Sequence, residues 1–89
     1  MERSYLQPEY DILKKGRSYE VIKAFRDFKN MPYEVGDRLK FIGFEFVPYE
    51  SGLSLFFDKN GVERQLMLCV RPEFQQQIAH NLIEYFQVL

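Results

Sequence analysis

The chain has 89 residues, 46% of them hydrophobic and 28% charged, with a formal net charge of −1. That suffices for one folded domain with one hydrophobic core, and it excludes a disordered chain. Near-neutral charge argues against a nucleic-acid partner, and the longest unbroken apolar run, residues 66–70, is too short to cross a bilayer.

Nine Phe and six Tyr supply most of the core-forming area in so short a chain. Residues 1–40 carry nine Lys/Arg against seven Asp/Glu, and residues 41–89 carry three against six, so the two halves are only mildly opposed in charge. The tightest basic group, Lys14, Lys15 and Arg17 around Gly16, reads as a solvated helix end or turn. Cys69 is the single cysteine, which rules out an internal disulfide and favours a reducing compartment. Residues 1–5 lack an apolar stretch of signal-peptide length, and the expected location is the cytoplasm.

Residues 1–16 read as an N-terminal arm with a short helix: Pro8 suits a first helical position and Gly16 a C-cap. Residues 17–89 read as a single β-rich domain closed by a C-terminal helix. Within it, residues 19–29 fit two patterns. Val21, Ile22, Phe25 and Phe28 make a helical stripe, while Tyr19, Val21 and Phe25 share the parity of a strand. Asn30-Met31-Pro32 ends the element in either case, and Val35-Gly36-Asp37 is a turn.

A strand is expected from Arg38 to Tyr49. Leu39 and Phe41 share one face, Ile42, Phe44 and Phe46 the other, so the apolar phase flips beside Gly43, as a β-bulge would make it. Glu50-Ser51-Gly52 is a turn, and Leu53, Leu55 and Phe57 alternate as the next strand. Asn60-Gly61 marks a tight hairpin, because both residue types tolerate positive φ. The returning strand places Val62, Leu66, Leu68 and Val70 on one side. Pro72 then opens a helix over 72–87, whose stripe of Phe74, Ile78, Leu82, Tyr85 and Phe86 docks on the sheet.

Catalytic and metal chemistry finds little footing. One His and one Cys are too few for a zinc site, and the five glycines are scattered singly, without a phosphate loop. Cys69 reads as core, and His80 as a solvated helix position. No cofactor, no metal and no enzymatic activity are expected. The unusual loop chemistry lies at the ends of the strand 38–49. Tyr49 and Glu50 follow Pro48 at one end, and Tyr33 and Arg38 flank the other. Tyr and Arg are the types most enriched at interface hot spots, so these four are the candidate binding residues. The competing reading folds both tyrosines over the core.

Gly16-x-x-Tyr19-x-Val21, Phe25-x-Asp27-Phe28, Val35-Gly36-Asp37, Phe41-x-Gly43, Arg71-Pro72-Glu73 and above all Pro48-Tyr49-Glu50-x-Gly52-Leu53-Ser54-Leu55-Phe56 resemble a bacterial family of small domains of unknown function. The family often has an aromatic where Leu39 stands. The resemblance spans residues 16–86 and implies a stand-alone bacterial domain with no assigned activity and no catalytic residues to carry over. It also tilts residues 18–28 toward strand. The expected fold is therefore mainly β, a small bent antiparallel sheet with a C-terminal α-helix. An SH3-like barrel is its favoured form, and an α+β sheet with 19–29 helical is the alternative. The expected function is a non-catalytic protein-interaction or regulatory module whose partner is another protein. An immunity- or antitoxin-type inhibitor of a toxin is the alternative, and a nucleic-acid-binding barrel the third choice. A homo-oligomer is compatible with all of these.

Overall fold

Apolar alternation is densest between residues 38 and 70, and there the chain runs as three long antiparallel strands. The structure, a computed structural model, describes residues 6–47, 52–71, 73 and 75–89. In chain order the elements are β1 (Glu9–Tyr10), β2 (Leu13–Lys14), β3 (Ser18–Val21), β4 (Phe25–Arg26), β5 (Pro32–Tyr33), β6 (Arg38–Val47), β7 (Gly52–Lys59), β8 (Val62–Cys69), α1 (Gln76–Ala79), a 3-10 turn (Leu82–Glu84) and β9 (Phe86–Val88). Five strands form one sheet in the order β8-β7-β6-β3-β9, and β1–β2 and β4–β5 are small separate ladders. All pairings are antiparallel.

The phase flip in β6 is a bulge. Phe41 pairs with Phe57 and Gly43 with Phe56, leaving Ile42 as the extra residue. One extra residue reverses parity, so Leu39 and Phe41 before it and Phe44 after it all face the side of Leu53, Leu55 and Phe57. Gly43 is required for a second reason. A Cβ there would lie 2.8 Å from Leu6 Cβ and 3.0 Å from the Gln7 carbonyl oxygen. The N-terminal segment crosses at this point, and Gln7 and Phe44 exchange backbone hydrogen bonds of 3.0 and 2.9 Å.

The β7–β8 hairpin turns through Asn60 at φ 54° and Gly61 at φ 83°, a two-residue loop with both residues left-handed. Asp58 Oδ1 accepts the Gly61 N–H at 2.7 Å and braces it. β7 is buried on both faces, since Ser54 and Phe56 are buried as well as Leu53, Leu55 and Phe57. After Val21 the chain leaves the sheet, forms the β4–β5 ladder, and returns at Asp37. The Val21 N–H donates to the Asp37 carbonyl at 2.8 Å, and the Gly36 N–H to the Val21 carbonyl at 2.9 Å, closing the excursion at its base. Buried Asp27 holds its tip: Oδ1 accepts the N–H groups of Lys29 and Met31, and Oδ2 that of Met67 in β8.

The sheet curls strongly. β7 and β9 are separated by two strands, about 14 Å across a flat sheet. Yet the Phe57 and Phe86 rings stack with centroids 5.8 Å apart. The core lies inside that curl, built from Tyr19, Val21, Leu39, Phe41, Leu53, Leu55, Phe57, Leu66, Leu68 and Phe86, and closed by Leu13, Ala79, Leu82 and Tyr85.

The open choice over residues 19–29 is decided for strand, and two sequence expectations are corrected. Residues 19–29 are not helical: β3 and β4 occupy that stretch, because pairing with β6 and β9 buries Tyr19 and Val21. The arm carries no helix among its described residues. Residues 9–14 form the β1–β2 ladder, with Asp11 at φ 52° in its turn. A helix of that length would lack the hydrogen bonds to persist, whereas the ladder is fastened from below by Tyr19. Among the described residues, the expected helix over 72–87 reduces to α1 and the 3-10 turn. Its last residues leave helical geometry because β3 offers an unpaired edge, and β9 takes it. The stripe still identified buried side chains, since Leu82, Tyr85 and Phe86 are in the core. Ile78 is half-buried, and Phe74 lies outside the described residues.

Candidate functional site

Of the four candidate binding residues the structure describes Tyr33 and Arg38, and these two line different grooves. Tyr33 is buried, 7% exposed, with its ring stacked on Phe25 at 5.1 Å and 10°. Burial first, and then the Asp27 carboxylate, push its phenol up to about 12; Arg64 opposes them. Tyr33 lines a shallow groove of about 280 Å³ with Asp37, Lys59 and Arg64. Arg38 lines a different one of about 370 Å³, with Asp58 and Asn60, and its Nε donates to Glu20 Oε1 at 3.3 Å. Tyr49 and Glu50 lie outside the described residues.

Cys69 is buried on β8, where its N–H donates to Gln75 Oε1 at 3.0 Å, and His80 is exposed at the end of α1. Among the described residues no three His, Cys, Asp or Glu side chains stand where they could hold a metal ion. No described helix is long and apolar enough to cross a membrane.

The surface feature that stands apart is the β9 edge of the sheet. β9 pairs with β3 on one side: the Ile22 N–H donates to the Tyr85 carbonyl at 2.8 Å and the Leu89 N–H to the Ser18 carbonyl at 2.9 Å, flanking the Glu20–Gln87 pair. Antiparallel geometry then turns both backbone groups of Gln87 toward β3 and those of Phe86 and Val88 away from it. Beside β9 lies a groove of about 440 Å³ lined by Ile12, Tyr19, Ile22, Ile83, Phe86 and Val88, together with Lys14 and Arg17. Three of its apolar residues are exposed: Ile22 40%, Ile83 68% and Val88 57%.

The opposite edge, β8, is covered over its last three residues. Met67 accepts from the Phe28 N–H at 2.6 Å and donates to Asp27, while Cys69 exchanges hydrogen bonds with Gln75. Sequence reasoning missed the β9 edge because it read Tyr85 and Phe86 as helical. A signal was present: Ile83 and Val88 are apolar yet lie off the stripe, which a solvated helix face does not explain.

A family profile described as a domain of unknown function (DUF3601) matches residues 3–89. Among solved structures, the chain is similar to an integron cassette protein from the mobile metagenome of Vibrio cholerae. Identity is 63%, 100% of this chain and 99% of that one are covered, and the TM-score is 0.97. No curated protein matches the chain.

Proposed function

The chain belongs to the DUF3601 family of domains of unknown function, and we propose that it works as a non-catalytic protein-interaction module of the bacterial cytoplasm. It takes an extended strand of a protein partner along the free edge of β9. The observation that carries this reading is that Phe86 and Val88 turn their backbone groups away from β3 and also line an apolar groove. Main-chain groups supply hydrogen bonds to any strand laid there, and pockets for alternate side chains supply selectivity. The groove holds two cations but neither a carboxylate nor a thiol nor an imidazole, which suits binding better than proton transfer.

The scaffold for this role is an SH3-like barrel. Supporting features are the sheet order, the long excursion over residues 22–37, the bulged β6, the tight β7–β8 turn and the 3-10 turn just before β9. The curl that stacks Phe57 on Phe86 fits as well. Fold likeness alone assigns no partner. The second reading, an immunity- or antitoxin-type inhibitor, draws support from the mobile-metagenome origin of the similar Vibrio cholerae protein; it uses the same edge and differs in its partner.

A photo-crosslinking residue placed at Val88 tests the reading, with one at Val62 as control. The two sites are 57% and 56% exposed but lie on opposite edges of the sheet. Protein adducts are expected from position 88 and not from 62. Equal labelling at both, or none at either, rejects the β9 edge as a binding surface.

A further inference from the structure

We propose that the strand taken by the β9 edge is β9 of a second copy, so that two chains join into one continuous ten-stranded sheet across a two-fold axis. The inference rests on the reading that this edge accepts a strand, and it names the partner.

An isologous contact demands that one surface be complementary to itself after a two-fold rotation. The β9 edge meets that demand in three ways. First, the outward residues are Phe86 and Val88. Antiparallel pairing about an axis through Gln87 sets Phe86 opposite the second copy's Val88, and the reverse, so both residues on each chain exchange backbone hydrogen bonds, four in all. Registers centred on Phe86 or Val88 offer fewer, because Glu84 belongs to the 3-10 turn and is not extended.

Second, the residue on the axis meets its own copy. Gln87 is exposed, and its amide both donates and accepts, so it can hydrogen-bond to itself across the axis, where a charged side chain would repel.

Third, the two ends of the edge differ in the right sense. Arg17 adjoins the Val88 end, next to Ser18, whose carbonyl accepts the Leu89 N–H, and exposed Ile83 and Glu84 adjoin the Phe86 end. Antiparallel docking runs the cationic end of one copy along the acidic, apolar end of the other. β9 also lacks the devices that blunt an edge: it contains no Pro, no Lys and no bulge, whereas the Met67–Cys69 end of β8 is covered by the Asp27 loop and Gln75. Three residues per strand make a small interface, so the association is weak and concentration-dependent.

Analytical ultracentrifugation of the full chain, from low to high micromolar, tests the proposal with three variants. Gln87→Lys and Gln87→Glu each place like charges on the axis while leaving an exposed side chain of the monomer. Each alone should be monomeric, and an equimolar mixture should recover the dimer, because opposite charges then face one another. Val88→Pro deletes only an outward N–H and leaves the ladder to β3 intact; it should weaken self-association at least tenfold. Wild-type chain that stays monomeric throughout, or single Gln87 variants that dimerise like wild type, overturns the proposal. If the wild type is monomeric while position 88 still crosslinks to another protein, the second copy is excluded and the strand-accepting edge stands. If both experiments are negative, the edge reading falls with it.

Discussion

Tyr19 joins the core to the backbone of the N-terminal hairpin. Its ring is buried, its hydroxyl donates to the Ile12 carbonyl at 2.7 Å, and it accepts the Lys14 N–H at 2.8 Å. Tyr19→Phe keeps the ring but strands both backbone groups, and should cost about 1–3 kcal/mol in denaturant unfolding. A loss under about half a kcal/mol would show that water replaces the hydroxyl. Asp27 has a similar role at the other loop, where one buried carboxylate serves three backbone N–H groups, so Asp27→Ala should be at least as costly. Tyr33 makes stability depend on alkaline pH. Its phenol ionises near 10.0 when unfolded but near about 12 when folded, so the folded state favours the neutral form. That contribution is complete below pH 10.0 and is lost as the pH rises through about 12. Tyr10, raised by burial and by Asp11, acts in the same direction. Chemical denaturation just below pH 10.0 and near pH 12 should show a smaller fall in midpoint for Tyr33→Phe than for wild type. Equal falls would remove Tyr33 as the cause.

At the scale of elements, the strands that pair with their immediate sequence neighbours were the legible ones. Asn60-Gly61 fixed the β7–β8 register, and the parity flip at Gly43 located the bulge, because local geometry dictates both. Gly61→Val should destabilise by about 1 kcal/mol or more, since a β-branched residue resists the φ of 83° found there. An unchanged midpoint would mean the turn can be rebuilt. Gly43→Ala should be costly for another reason, because the new methyl displaces Leu6 and the Gln7–Phe44 bridge with it. The elements that sequence misjudged depend on distant partners. Residues 82–88 carry an apolar spacing that helix and strand share, and only the vacant edge of β3, more than sixty residues away, decides for strand over 86–88. Residues 9–14 are decided likewise, by a hydroxyl beneath them and by Tyr10 donating to the Ala79 carbonyl at 3.3 Å. The candidate site was illegible for the same reason: an edge exists only once the strand order is known. Tyr33 was a fair choice by residue type, but its stacking on Phe25 turns the ring inward.

Over the whole molecule, protection is uneven. β7 sits between two long strands and is buried on both faces, whereas β1–β2 and β4–β5 are ladders of two residues each. Amide hydrogen exchange should therefore be slowest over residues 53–57 and fastest in the two small ladders. Uniform protection would contradict this gradient. The pairing of β3 with β9 also gives the protein a direction of weakness under tension. Ser18 and Leu89 share a hydrogen bond at the same end of that ladder. A pull on Leu89 against Ser18 therefore loads the bonds in series, as a zipper does, and Leu89 yields before Gln87 and Tyr85. Once β9 peels away, Phe86 leaves its stack with Phe57, and the core opens along the curl. A pull from the amino side meets the Tyr19 clamp and the Gln7–Phe44 bridge first. A processive unfolding machine gripping the carboxyl side would thus meet far less resistance than one gripping the amino side, although the equilibrium stability of the fold is the same for both.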